Sequence, residues 1–179
     1  MLLEADGADA LTTNKIALRA GVSIGSLYQY FPNREAVVRE LATRQWARAA
    51  QRLEAVREAA SEASLAEVAE ACVRVLASTA QGTASLRRAL LLEVPRAWIR
   101  PTSAPVHAAV VEQVAALLRS HAGELPGDVQ LRAFVLTHAV QGAVDAALVE
   151  HPEWIEDEAR LEDLVQDLTG LVLGHAGPR

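Results

Sequence analysis

The chain has one cysteine, Cys72, among its 179 residues. No disulfide can form within it, and a reducing, cytoplasmic setting is expected. Apolar runs are short, and none reaches the roughly 18 residues that suggest a membrane span. The opening MLLEADGADAL is acidic and has no basic stretch, so a secretory leader is not expected. The five histidines, His107, His121, His138, His151 and His175, show no pair spaced by three or four residues. With no Cys/His cluster either, neither a structural nor a catalytic metal is expected. The motifs G-x-x-x-x-G-K-[ST] and G-x-G-x-x-G are both missing. Neither an enzyme nor a resident cofactor is expected.

Aromatic residues are also scarce, at 4%. Three of the four Phe and Tyr rings nonetheless fall within Tyr28, Tyr30 and Phe31, in the stretch GVSIGSLYQYFPNREAV. The rest of the chain is rich in alanine, leucine, valine, glutamate and arginine, and 51% of it is apolar. That composition favours helices, and no strand-like alternation of any length occurs.

Capping residues divide the chain into helices. A short one is expected from about Asn14 to Ala20, ending at Gly21. Ser23 caps a second, Ile24 to Tyr30, and Pro32 stops it. Asn33 caps a long third helix, from about Arg34 to Ala59. Further helices are expected from Ser64 to Thr79 and from Ser85 to Trp98, the latter kinked or broken at Pro95. Pro101 and Pro105 should bound a loop, with a helix from Pro105 to His121 after it. Asp128 caps a long helix to Glu150, and a last helix runs from about Glu158 to Gly174. The fold class is therefore all-α.

Net charge is −6, yet it is unevenly placed. Eight basic residues and three acidic ones lie between Ala10 and Arg57, whereas nine acids and Arg160 alone lie between Asp145 and Asp167. A basic front and an acidic back suggest that the front meets a polyanion. Two short capped helices joined by Ala20-Gly21-Val22-Ser23 read as a helix-turn-helix. Ile16, Ala17, Ala20, Val22 and Leu27 can face inward. Ser23, Gly25, Ser26, Tyr28, Gln29 and Tyr30 are left facing out, with hydroxyl and amide groups suited to base edges and phosphates. Between Thr12 and Arg34 there is no acid at all.

TTNKIALRAGVSIGSLYQYFPNREAVV closely resembles the DNA-binding motif of the tetracycline-repressor (TetR) family of bacterial transcription regulators. The likeness covers about Leu11 to Leu41 and rests on the AGVS turn, the G-S-L-Y-x-Y-F core and the N-R-E cap in order. The resemblance implies phosphate contacts at Thr13, Tyr28, Tyr30 and Arg34. It implies base-edge or close groove contacts at Ile24, Gly25, Ser26 and Gln29, with Ser23 capping the reading helix and near phosphate. Phe31 then ties that helix to the next. Met1 to Ala5 matches only the last part of the full first helix that family members carry. A head with most of that helix missing is expected to hold DNA less tightly, and the coding sequence upstream of Met1 bears on this.

The family likeness implies a helix-turn-helix head over residues 1–45 and a ligand-binding and dimerisation bundle over 46–179. Candidate effector contacts are Cys72, Leu76, Leu91, Val94, Trp98, Phe134, His138 and Gln141, with Asp145 one turn beyond. For most of these, ordinary core is the alternative, and Cys72 on a stripe with Val68, Val75 and Leu76 reads as a buried apolar residue. The last helix carries the cleanest stripe: Leu161, Leu164, Val165, Leu168, Leu171 and Val172. The helix before it offers small residues, Gly142 and Ala146 among them, beside Leu131 and Val135. Together these are expected to form a homodimer interface, with packing inside the monomer as the alternative. The expected function is a repressor that binds a palindromic double-stranded operator and is released by a small-molecule effector. The alternative is a helical small-molecule-binding protein without DNA binding.

Overall fold

The computed structural model of the chain describes residues 11–59, 63–81, 83–120 and 127–176. The family-implied helix at Met1 to Ala5 lies outside them. Among the described residues the regular structure is all helix, with no strand. In chain order the helices are α1 (Thr13–Ala20), α2 (Ile24–Tyr30), α3 (Arg34–Ala59), α4 (Leu65–Ser78), α5 (Ala84–Leu92), α6 (Arg96–Arg119), α7 (Val129–Glu150), α8 (Pro152–Glu156) and α9 (Glu158–Ala176). No described helix is long and apolar enough to cross a membrane.

Local chemistry sets most boundaries. The Thr12 hydroxyl accepts from the Lys15 N–H and starts α1. Gly21 ends it at φ 69°, a left-handed conformation that costs a residue with a Cβ. There the Val22 N–H reaches the Ala17 carbonyl at 3.0 Å and the Gly21 N–H reaches Leu18 at 3.2 Å, a Schellman closure. Ser23 accepts from the Ser26 N–H at 3.0 Å to start α2. Asn33 Oδ1 accepts from the Ala36 N–H at 2.8 Å to start α3. Ser64 and Glu67 close a reciprocal capping box on α4, and Asp128 accepts from two amides of α7.

Three expectations are corrected. The first concerns the chain between Pro95 and Pro105. The break falls at 93–95, and α6 then runs unbroken through both Pro101 and Pro105. Both prolines are exposed, and they stand four residues apart on one side of the helix. Each removes one amide donor there, while Val110, Val111, Val114, Ala115, Leu117 and Leu118 bury the later turns. Packing outweighs the local penalty. Second, α8 interrupts the expected loop after His151. Pro152 fills its first position and Ile155 is fully buried, which holds the turn against the core. Third, Ala20 and Val22 do not face inward. Both are exposed, and Leu27 with Ala17 supplies the buried face of the motif.

The described residues form two apolar clusters. The larger one gathers α4, α6, α7, α8, α9 and Leu53 of α3. Leu161, Val165, Leu168 and Val172 are buried in it and Leu164 is partly buried, so most of the α9 stripe is consumed inside the chain. Arg74 of α4 adds a forked contact to Glu162 of α9, at 2.5 and 2.9 Å. The smaller cluster joins Leu11, Val38 and Ala42 to Leu86, Leu90 and Val94, with Ile16, Trp98 and Ile99 packed against it. This is where the helix-turn-helix head sits on the body.

Candidate functional sites: a reading helix and a cavity above it

The outer face of the head is built by α1 and α2. Ser23, Gly25, Ser26, Gln29 and Tyr30 are exposed, Ile24 and Tyr28 are open, and Thr13 is half-buried. The Tyr28 hydroxyl lies 3.2 Å from Thr13 Oγ1, so two expected phosphate contacts from different helices meet at one point. Ser23 and Ser26 share a 2.8 Å hydroxyl contact. A Cβ placed at Gly25 would meet only Ser23 Oγ at 3.8 Å, so nothing inside the chain requires glycine there. Phe31 is half-buried, and its N–H closes α2 on the Leu27 carbonyl at 2.9 Å. Arg34 turns partly toward the body: its guanidinium lies 5.0 Å from the centre of the Trp98 ring and bonds the Leu11 carbonyl at 3.5 Å.

A cavity of about 770 Å³ opens among α3, α5, α6 and α7. Its rings are Trp46 from α3, His107 from α6, and Phe134 and His138 from α7. Trp46 and His107 meet edge to face at 3.9 Å, His107 and His138 stand 6.1 Å apart, and Phe134 lies 4.2 Å from His138. His138 Nδ1 is 2.8 Å from the Phe134 carbonyl. On another wall Arg87 bonds Asp145 at 2.7 Å and Thr79 at 3.2 Å, with its guanidinium 5.5 Å from the Trp46 ring centre. Gln141 donates to the same Asp145 oxygen at 2.8 Å. Burial pushes Asp145 up and Arg87 down from their ordinary values, each against the pull of the other's charge. Desolvation therefore outweighs their mutual attraction.

The expected effector contacts are scattered more widely than the sequence suggested. Leu91, Phe134 and His138 line the cavity, with Asp145. Gln141 is buried beside it as a partner of Asp145. Val94 and Trp98 lie in the head–body junction instead. Cys72 and Leu76 lie in the larger cluster, around a separate void of about 30 Å³. Burial pushes the Cys72 thiol up to about 12, so it is an inert apolar side chain.

Sequence reasoning missed Trp46, Arg87, Arg96, Arg100 and His107. Only Arg87 carried a signal: it stands three residues from both Ala84 and Leu90, inside an apolar stripe. Among the described residues no cluster of His, Cys, Asp or Glu could hold a metal ion.

His107 makes a prediction on pH. Burial first, then the neighbouring His138 and Arg87, hold its pKa below the ordinary 6.5. The unfolded chain therefore binds the proton more readily than the folded one. Stability rises with pH across the window below 6.5 and is lost on acidification through it. The melting temperature of the wild type is expected to climb between about pH 5 and pH 7. His107→Gln is expected to flatten the climb, and an unchanged slope in the variant contradicts this reading.

The description "Bacterial regulatory proteins, tetR family" fits residues 1–41, and "Tetracyclin repressor-like, C-terminal domain" fits residues 64–175. No protein of curated function matches the sequence significantly. Solved structures do match. The fatty acid degradation regulator FadR from Bacillus halodurans is 21% identical with a TM-score of 0.78, over 99% of this chain and 92% of that one. FadR from Bacillus subtilis, in complex with stearoyl-CoA, is 20% identical with a TM-score of 0.75, over 96% and 91%. A TetR-family regulator from Streptomyces coelicolor is 24% identical with a TM-score of 0.60, over 98% and 92%. At these identities the likeness speaks for the fold. With its head and its body both matched, the chain belongs to the TetR family of bacterial transcription regulators.

Proposed function

We propose that the protein is a homodimeric repressor that binds a palindromic operator through α2 and lets go when a small molecule fills the cavity. The observation that carries the reading is the double duty of α6. Its first turns give Arg96, Ile99, Arg100 and Ser103 to the cavity and Trp98 to Arg34 of the head. Arg39 of α3 also donates to the Trp98 carbonyl at 3.2 Å. A ligand that shifts these turns changes what Arg34 and α3 rest on. In a dimer that biases the spacing of the two reading helices, which must match major grooves about 34 Å apart.

The dimer face in this reading is what α7 and α9 leave uncovered. Leu131 is 61% exposed and Leu171 is 64% exposed, with Val135, Gly142 and Ala146 also open. Small residues there let helix axes approach closely, and the large apolar side chains give a second copy something to bury. The buried members of the α9 stripe hold the face up from beneath.

A gel shift tests the reading. The protein at low salt is expected to retard duplex DNA flanking its own gene, and to do so as a dimer by light scattering. No retardation of that DNA at low salt defeats the proposal and leaves a ligand-binding protein without DNA binding.

A further inference from the structure

The cavity is unbalanced in charge. Arg87, Arg96 and Arg100 face it against a single acid, Asp145. That acid is already bonded by Arg87 and Gln141. A cationic ligand therefore finds one acid, already shared with two donors. Arg96 and Arg100, by contrast, make no hydrogen bond or close ion pair to any described residue, although the charge of Arg96 reaches Asp145 across the cavity. They stand four residues apart on the face of α6 that also brings Ser103 and His107 to the cavity. Two guanidiniums left to close over a neutral ligand would lose water without return. An anion offers them short charge-assisted bonds, and a carboxylate matches the guanidinium fork.

The other end of the same face is aromatic. Seven residues separate Arg100 from His107, about 10 Å along a helix. At that distance His107 meets Trp46 and approaches His138, which in turn contacts Phe134. A planar ring system fits such a wall by stacking or edge contact.

We infer that the effector is a planar aromatic carboxylate, its anionic group held by Arg96 and Arg100 and its ring body reaching the Trp46–His107 wall. This rests on the reading of the cavity as the effector site. Arg87 stays with Asp145 and shapes the floor. The ordering of charge and rings, more than the cavity's volume, sets the preference for one class of small molecule over another.

Calorimetric titration of the full chain with 2-naphthoate, 2-naphthyl phosphate and neutral 2-naphthalenemethanol tests this. The carboxylate is expected to bind on the order of tenfold or more tighter than the alcohol, because a charge-assisted bond is about twice as strong as a neutral one. It is also expected to bind more tightly than the phosphate. In Arg96→Gln/Arg100→Gln the carboxylate is expected to fall to the affinity of the alcohol, while the alcohol is unchanged. Both arginines are exposed, and an unaltered melting temperature confirms that the variant is folded. Equal binding of acid and alcohol, no binding of either, tighter binding of the phosphate, or an undiminished preference in the double variant overturns the inference. Gel shifts without added ligand keep the two claims apart. DNA retarded by a protein that ignores naphthoate leaves the regulator standing and removes only the effector class.

Discussion

Asp145→Ala is expected to destabilise the chain by about 3 kcal/mol, the low end of what breaking a buried ion pair costs. The Arg87 side chain is only 10% exposed and that of Asp145 is 29% exposed, so removing the acid strands a cation with little water around it. Thr79 remains as a single neutral acceptor. The Gln141 amide loses its acceptor too, and Gln141 Oε1 is already a buried oxygen with no partner. Removing the pair as a unit is a different matter. Burial already pushes each partner toward its neutral form, so the pair returns less than its desolvation takes. Arg87→Met/Asp145→Leu is therefore expected to lie within about 1 kcal/mol of wild type, since apolar replacement of a buried pair is often neutral. Urea unfolding of the single and double variants measures both. Equal destabilisation by single and double replacement would show that the pair itself supplies stability.

The second large effect belongs to the reading helix. Gln29→Ala is expected to cost about 1–3 kcal/mol on the preferred DNA site and to relax base preference at one position per half-site. Gln29 is exposed and makes no hydrogen bond or ion pair to another described residue, so the change leaves α2 intact. Tyr28→Phe is expected to behave differently. It removes the hydroxyl that meets Thr13 at 3.2 Å, at the junction of α1 and α2. All sequences are then bound more weakly by a similar factor, while the dependence on salt is unchanged, because the lost hydroxyl carries no charge and releases no counterion. Binding curves for two unlike operator sequences separate the outcomes. A uniform loss from Gln29→Ala, or a sequence-dependent loss from Tyr28→Phe, would mean that the helix sits differently in the groove.

The head was legible in the sequence because its signals are local. Thr12, Gly21, Ser23 and Asn33 act within three or four residues of themselves, and each produces the cap or turn that its chemistry dictates. The body was legible as helices but not as a site. Arg87 and Arg88 look alike in sequence, and only a partner 58 residues away makes one of them an inner residue. Trp46 lies on a 26-residue helix with a diffuse apolar face, and His107 meets it only once α3 and α6 are packed together. Pro101 and Pro105 misled in the other direction, since strong local breakers gave way to burial further along α6. The α9 stripe was real as a stripe. Sequence could not say that the chain's own α4 and α8 consume most of it, leaving Leu171 outside.

The claim that head and body make a dimeric reader of DNA meets its most direct test in selection from a pool of random duplexes. The protein is mixed with the pool at low salt, and bound duplexes are recovered and sequenced over several rounds. Two inverted copies of one short motif are expected, their centres about one helical turn apart, roughly 34 Å. Gln29→Ala should blur one position in each copy. Enrichment of a single unpaired motif would contradict the dimer, and no enrichment at all would contradict DNA reading by α2.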